Sequence, residues 1–149
     1  MKRTILLVLA IAACRSASTP SPAPSAAANL PGAAAPRQAV ERFLGAAKNQ
    51  DLQELAVAWG TAKGPARDQF GEDRAQLEKR LIMMTGCYDS EKHRILDEIP
   101  GDDGTRVLRV ELTKGAVTKT PRFTTVKGPS DRWYVQDADF AAVTALCKR

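Results

Sequence analysis

Residues 39–60 read AVERFLGAAKNQDLQELAVAWG, and their spacing sets the architecture of the domain. Val40, Phe43, Leu44 and Ala47 recur at helical intervals, with Arg37, Glu41 and Lys48 on the other side. Asn49-Gln50 interrupts the pattern. Asp51 then stands three residues before Glu54, the arrangement of a capping box in which each side chain satisfies an orphan amide. Leu52, Leu55, Ala56 and Trp59 form the apolar stripe of a second helix, and Gly60 suits its C-terminal stop. Two such helices need an apolar surface to cover, and the chain downstream supplies it.

Thr61 to Gly71 carries Gly64, Pro65 and Gly71 and reads as a loop with room for one short extended piece. A third helix is predicted over Glu72–Thr85, with Leu77, Leu81 and Met84 on one face, Ile82 beside them, and Gly86 as its end. From His93 onward the period becomes two. Lys92–Ile99 is a strand and Pro100–Gly104 a hairpin turn. Arg106–Thr113 then sets Leu108, Val110 and Leu112 on one face. Lys114–Thr120 turns, Pro121–Lys127 is a third strand, Gly128–Asp131 turns again and Arg132–Ala138 is the fourth. Asp139 caps a short terminal helix that runs to Leu146. Helices followed by an antiparallel meander give an α+β fold, with the helices on one face of a curled sheet.

The element order, the paired N-terminal helices and the closing strand with tryptophan, from AVERFLGAAKNQDLQELAVAWG to RWYVQDADF, resemble the cone-shaped superfamily of nuclear transport factor-like and SnoaL-like domains. The resemblance spans nearly all of residues 37–140. It implies a cone-shaped roll and, in enzyme members, a carboxylate or His–Asp pair inside the cone. The first strand usual in such domains is hardly visible after Gly60.

The amino terminus reads MKRTILLVLAIAAC over residues 1–14. Lys2 and Arg3 form a positive head, Thr4–Ala13 an apolar core, and Ile11-Ala12-Ala13-Cys14 places small residues before a cysteine. Small side chains let the peptide lie in a narrow protease groove. Ten residues at about 1.5 Å rise span roughly 15 Å, half of a hydrocarbon core, so a transmembrane anchor fits poorly. The pattern resembles the lipobox of bacterial lipoproteins, which implies cleavage after residue 13 and acylation of Cys14, for example with palmitate. Arg15 follows the cysteine where inner-membrane sorting in such proteins uses an aspartate, so an outer-membrane location is expected. Residues 14–36 then form the lipidated cysteine and an Ala/Ser/Pro linker, RSASTPSPAPSAAANLPGAAAP after Cys14. Without a periodic apolar face this segment is expected to be disordered. The α+β domain occupies residues 37–149.

Loss of residues 1–13 removes Lys2 and Arg3 and no acid, so the formal charge falls from +5 to +3. That is too mild for nucleic-acid binding, which needs a dense basic patch. With Cys14 assigned to lipid, Cys87 and Cys147 remain as an even pair, expected to bond in an oxidising compartment. A single histidine and no CxxC spacing give no metal centre, and no cofactor is implied.

His93 and Asp97 are the one His–carboxylate pair close in sequence. On a regular strand they would share a face about 13 Å apart, too far for a direct bond. Asp102-Asp103-Gly104 lacks the ligand alternation of a calcium loop and reads as hairpin chemistry. Trp59, Tyr88, Trp133 and Tyr134 are the candidates for a ligand pocket, although in a chain with 5% aromatics they are also the natural core fillers, the reading favoured here. Thr105–Arg132 carries seven cations against Glu111 and Asp131, suited to an anionic envelope component or to protecting the sheet surface.

The expected protein is therefore an envelope protein that meets the membrane through its lipid. Its α+β domain binds a small ligand or envelope component, without catalysis and without nucleic acid. An enzyme of the same fold (isomerase, dehydratase or hydrolase type) and a structural accessory subunit are the alternatives.

Overall fold

Pro36 opens the first helix, its fixed φ already suited to a helical start. The computed structural model describes residues 30–71 and 73–147, so the signal segment, Cys14 and the linker as far as Asn29 lie outside the described residues. Helix α1 (Pro36–Asn49) buries Val40, Phe43, Leu44 and Ala47, as the periodicity predicts, together with Ala39 and Ala46. It ends on Gln50 in the left-handed region, whose amide donates to the Ala47 carbonyl at 3.2 Å.

Helix α2 (Leu52–Ala58) starts on Asp51, whose carboxylate accepts the Glu54 amide at 2.9 Å. Only this half of the predicted capping box forms. The Glu54 carboxylate is held instead by the Arg42 guanidinium of α1, and the Asp51 amide donates to Ala46. Gly60 is not the helix stop either. Trp59 ends α2 in an extended conformation, and Gly60 begins a small hairpin of β1 (Gly60–Thr61) and β2 (Gly64–Pro65). A Cβ at position 60 would collide with the Gly64 carbonyl, which is why glycine stands there.

After a single turn of helix, α3 (Ala66–Gln69), helix α4 runs from Arg74 to Tyr88. It passes through Gly86 where the sequence suggests an end. A glycine inside a helix costs about 1 kcal/mol against alanine, and the burial of Cys87 and Tyr88 in the extra turn offsets it.

The strands are β3 (Lys92–Pro100), β4 (Arg106–Lys114), β5 (Val117–Lys119), β6 (Arg122–Lys127) and β7 (Trp133–Ala138). Strand β5 lies within the segment expected only to turn, because the turn itself is just Gly115-Ala116 and the flanking residues pair at once. The sheet is antiparallel, in the order β3-β4-β6-β7, with β5 on the far end of β4. The α+β class and the packing of helices on an antiparallel sheet stand as expected. The curled, cone-shaped roll expected from the resemblance does not form: among the described residues the end strands β3 and β7 do not pair with each other, and the sheet stays open, neither closed nor strongly curled.

Its inner face, Leu108, Val110, Leu112, Phe123 and Val135, meets the apolar sides of α1, α2 and α4. At the centre the rings of Phe43, Tyr88 and Phe123 stand edge to face, their centroids 5.4, 5.8 and 5.6 Å apart. Asp139 caps α5 (Phe140–Val143) through the Ala142 amide at 3.1 Å, as the sequence predicts, and a 3-10 turn over Thr144–Leu146 follows.

One sequence expectation fails at the start of the domain. Leu30–Ala35, assigned to the linker, lies folded against it. Ala33 is buried and exchanges two backbone hydrogen bonds with Trp133, both 2.8 Å, and the Gly32 amide donates to Val57 at 3.0 Å. These partners are far off in sequence, so local composition could not reveal them.

Candidate functional site

The four aromatic candidates do not converge on one concavity. Tyr88 is buried beneath α1, and its hydroxyl donates to the Ala138 carbonyl at 2.9 Å. Tyr134 is buried on the other side of β7, its ring edge against Gly32 and Gly128. Trp59 is half-buried, its ring 5.8 Å from that of Phe70, and Trp133 lies under the Lys127 ammonium at 5.5 Å. Among the described residues, surface grooves of about 270–500 Å³ are lined by residues other than these four. The aromatic side chains fill space between the elements.

Both tyrosines resist ionisation. Burial, followed by the negative charges of Asp137 and Asp139, raises the Tyr88 phenol well above its ordinary value; burial is also the main cause of the rise at Tyr134. An unfolded phenol ionises near pH 10. Stability from these groups is therefore complete below that pH and is lost as the pH climbs toward the folded values. The phenolate absorbance of the two tyrosines should rise only together with alkaline unfolding followed by circular dichroism. Phenolate appearing near pH 10 in a still-folded domain would contradict their burial.

His93 and Asp97 do not share a face. The register between β3 and β4 shifts between Ile95 and Asp97, leaving Leu96 as a bulge. His93 therefore lies opposite buried Leu112 and turns toward the helices, where its Nε2 meets the Glu41 carboxylate of α1. Asp97 lies opposite Arg109 on the outer face and accepts from its Nε at 2.8 Å. That hydrogen bond is the main cause that holds the Asp97 carboxyl below the usual carboxylate range. The His93–Glu41 contact joins residues 52 apart, and no local spacing announces it.

The basic stretch is largely tied down. Arg106 binds Glu98 at 2.9 Å, Arg109 binds Asp97, Lys114 lies 3.7 Å from Asp89, and Lys127 is 3.5 Å from Asp131. Lys119 and Arg122 carry no ion pair among the described residues. Asp102–Gly104 forms the turn between β3 and β4, with Asp103 in the left-handed region.

The most elaborated polar site is one the sequence reading missed. Arg42 donates to the carbonyls of Leu30 (2.9 Å) and Gly32, while its other edge holds Glu54. Arg132 donates to the carbonyls of Pro31 (3.2 Å) and Gly32 (2.9 Å). Two guanidiniums, from α1 and from the turn before β7, thus clamp three successive carbonyls of the entering chain. Grooves of about 440 Å³ and about 370 Å³ border this strap, both reaching Arg42 and Glu54. Gly32 has φ +68°, and a Cβ there would lie 2.8 Å from the Trp133 carbonyl and the Tyr134 ring. Gly32→Ala should cost about 1–3 kcal/mol, the usual range for backbone strain, and should abolish amide-exchange protection at Ala33. An unchanged urea midpoint with protection retained would show that the strap is not held this way.

Cys87 and Cys147 are disulfide-bonded, with Cα atoms 3.8 Å apart. The bond fixes the C-terminal tail to the last turn of α4. The Leu146 carbonyl accepts from Lys114 Nζ at 3.1 Å, which holds the tail to the sheet as well. Among the described residues, no group of three or more His, Cys, Asp or Glu could hold a metal ion, and no helix is long and apolar enough to cross a membrane. No protein-family model, curated protein or solved structure matches the chain.

Proposed function

We propose that the chain is a lipoprotein of the bacterial envelope, held in the outer membrane through acylated Cys14, and that its domain is a binding module that meets an envelope component with its surface. In this reading the domain is a divergent relative of the nuclear transport factor-like, SnoaL-like superfamily whose sheet stays open and whose interior is filled. The supporting observation is the buried triad of Phe43, Tyr88 and Phe123, which occupies the space between helices and sheet where a small ligand would otherwise sit. The strap adds to it. A chain entering from a lipid anchor is gripped by Arg42 and Arg132 at the point where it meets the domain, so the tether ends on a fixed surface.

The test of the anchor is an intact mass of the protein extracted from membranes. The expected species begins at Cys14 and carries acyl mass, and Cys14→Ser should lose both the lipid and the membrane fraction. Retention of that variant in the membrane would overturn the lipoprotein reading. One chain of this kind holds only marginally, so several acyl groups are expected.

An isomerase, dehydratase or hydrolase of the same fold is the second reading, favoured by the imidazole–carboxylate pair of His93 and Glu41. A substrate turnover by the purified protein that vanishes in His93→Ala would establish it over the binding module.

A further inference from the structure

Strand β3 stands at one end of the sheet, and among the described residues no strand pairs with its outer edge. The other end is covered, since β7 bonds the strap through Ala33 and meets Trp59 through Val135. An open edge of nine residues is a template for a further strand, and a bulge commonly blocks such an edge. In this strand the bulge creates a symmetry. His93, Arg94 and Ile95 pair with Leu112, Glu111 and Val110; Leu96 is skipped; Asp97, Glu98 and Ile99 pair with Arg109, Leu108 and Val107. Buried Leu108, Val110 and Leu112 mark the inner face, so His93, Ile95 and Glu98 face inward while Lys92, Arg94, Asp97 and Ile99 face outward.

The order of faces is thus the same read from either side of the Ile95–Leu96 peptide. Arg94 matches Asp97, His93 matches Glu98 and Lys92 matches Ile99. The β4 partners within each match are an even number of residues apart, so the two members present their backbone amides and carbonyls in the same direction. We propose that β3 pairs antiparallel with β3 of a second copy of this chain, about a two-fold axis through the Ile95–Leu96 peptide. Arg94 then faces the partner's Asp97, and His93 faces the partner's Glu98. Sliding the pairing by one residue sets inward residues against outward ones, and sliding by two separates both the Arg94–Asp97 and the His93–Glu98 matches.

Each new pair also extends one already present. Outside, the row runs Glu111, Arg94, the partner's Asp97, the partner's Arg109; inside, it runs Glu41, His93, the partner's Glu98, the partner's Arg106. Signs alternate along the outer row, and in the inner row the His93 imidazole stands between two carboxylates. Leu96 and Ile99, 37% and 54% exposed, lie on the edge that would be covered. Self-complementarity of one patch is what a closed two-fold interface requires.

The test uses full-length chains in a Cys14→Ser background, one carrying Arg94→Cys and the other Asp97→Cys. Both positions project from the outer face, and melting curves check that each variant is folded. Mild oxidation of the mixture should give a disulfide-linked heterodimer, while neither variant alone should cross-link, because like positions lie beyond disulfide reach across the axis. Cross-linking of either variant with itself, or none in the mixture, would overturn the proposal. Sedimentation velocity gives an independent reading. The unsubstituted chain should show a concentration-dependent dimer, and Asp97→Arg should weaken it at least about tenfold, since each like-charge contact occurs twice. A monomer at every concentration would contradict the proposal.

Discussion

Cys147→Ala is expected to destabilise the domain by about 4 kcal/mol, and full reduction of the native protein should do the same. The bond joins residues 60 apart, and closing a loop of that length removes roughly this much chain entropy from the unfolded state. For a domain of this size the melting temperature should fall on the order of 15–20 °C. Val143 and Leu146 are buried, so some tail packing should survive the loss of the bond. Thermal melts of wild type, of Cys147→Ala and of wild type in reductant check this, and the last two should coincide. A reduced protein that melts with the oxidised one would show that the C-terminal tail does not depend on its covalent pin.

Phe43→Ala carries the other large effect, a loss of about 3–5 kcal/mol, typical of deleting a fully buried aromatic ring. Phe43 has no exposed surface, and its ring touches those of Tyr88 and Phe123, so one substitution removes contacts to both α4 and β6. By contrast Ile82 is 53% exposed, and Ile82→Ala should change stability by less than about 0.5 kcal/mol. Urea titration of the two variants compares them directly. Similar midpoints would mean that the aromatic triad does not organise the core.

Much of the fold is legible because it is written in local patterns. The stripe of Val40, Phe43, Leu44 and Ala47 and the alternation of Leu108, Val110 and Leu112 are each buried as their periods require. Asp51 and Asp139 cap as their positions suggest. What escaped depends on partners distant in the chain. Glu54 leaves its capping box for Arg42, twelve residues back. Gly86 continues a helix because Tyr88 reaches β7. The Leu96 bulge separates His93 from Asp97, and the run of small residues before Pro36 is ordered by an arginine 100 positions later. Composition describes what a segment does alone, and Leu30–Ala35 is not alone.

The claim that the domain works through its surface stands on the filling of its interior, and small apolar probes address that directly. Thermal melts of wild type and Phe43→Ala, each with and without saturating benzene, are the measurement. The variant, left with a cavity among Tyr88, Phe123 and the helices, should gain stability from benzene as apolar cavities do, and the wild type should melt at an unchanged temperature. A saturable stabilisation of the wild type by the same probe would reveal an internal ligand cavity and contradict the account.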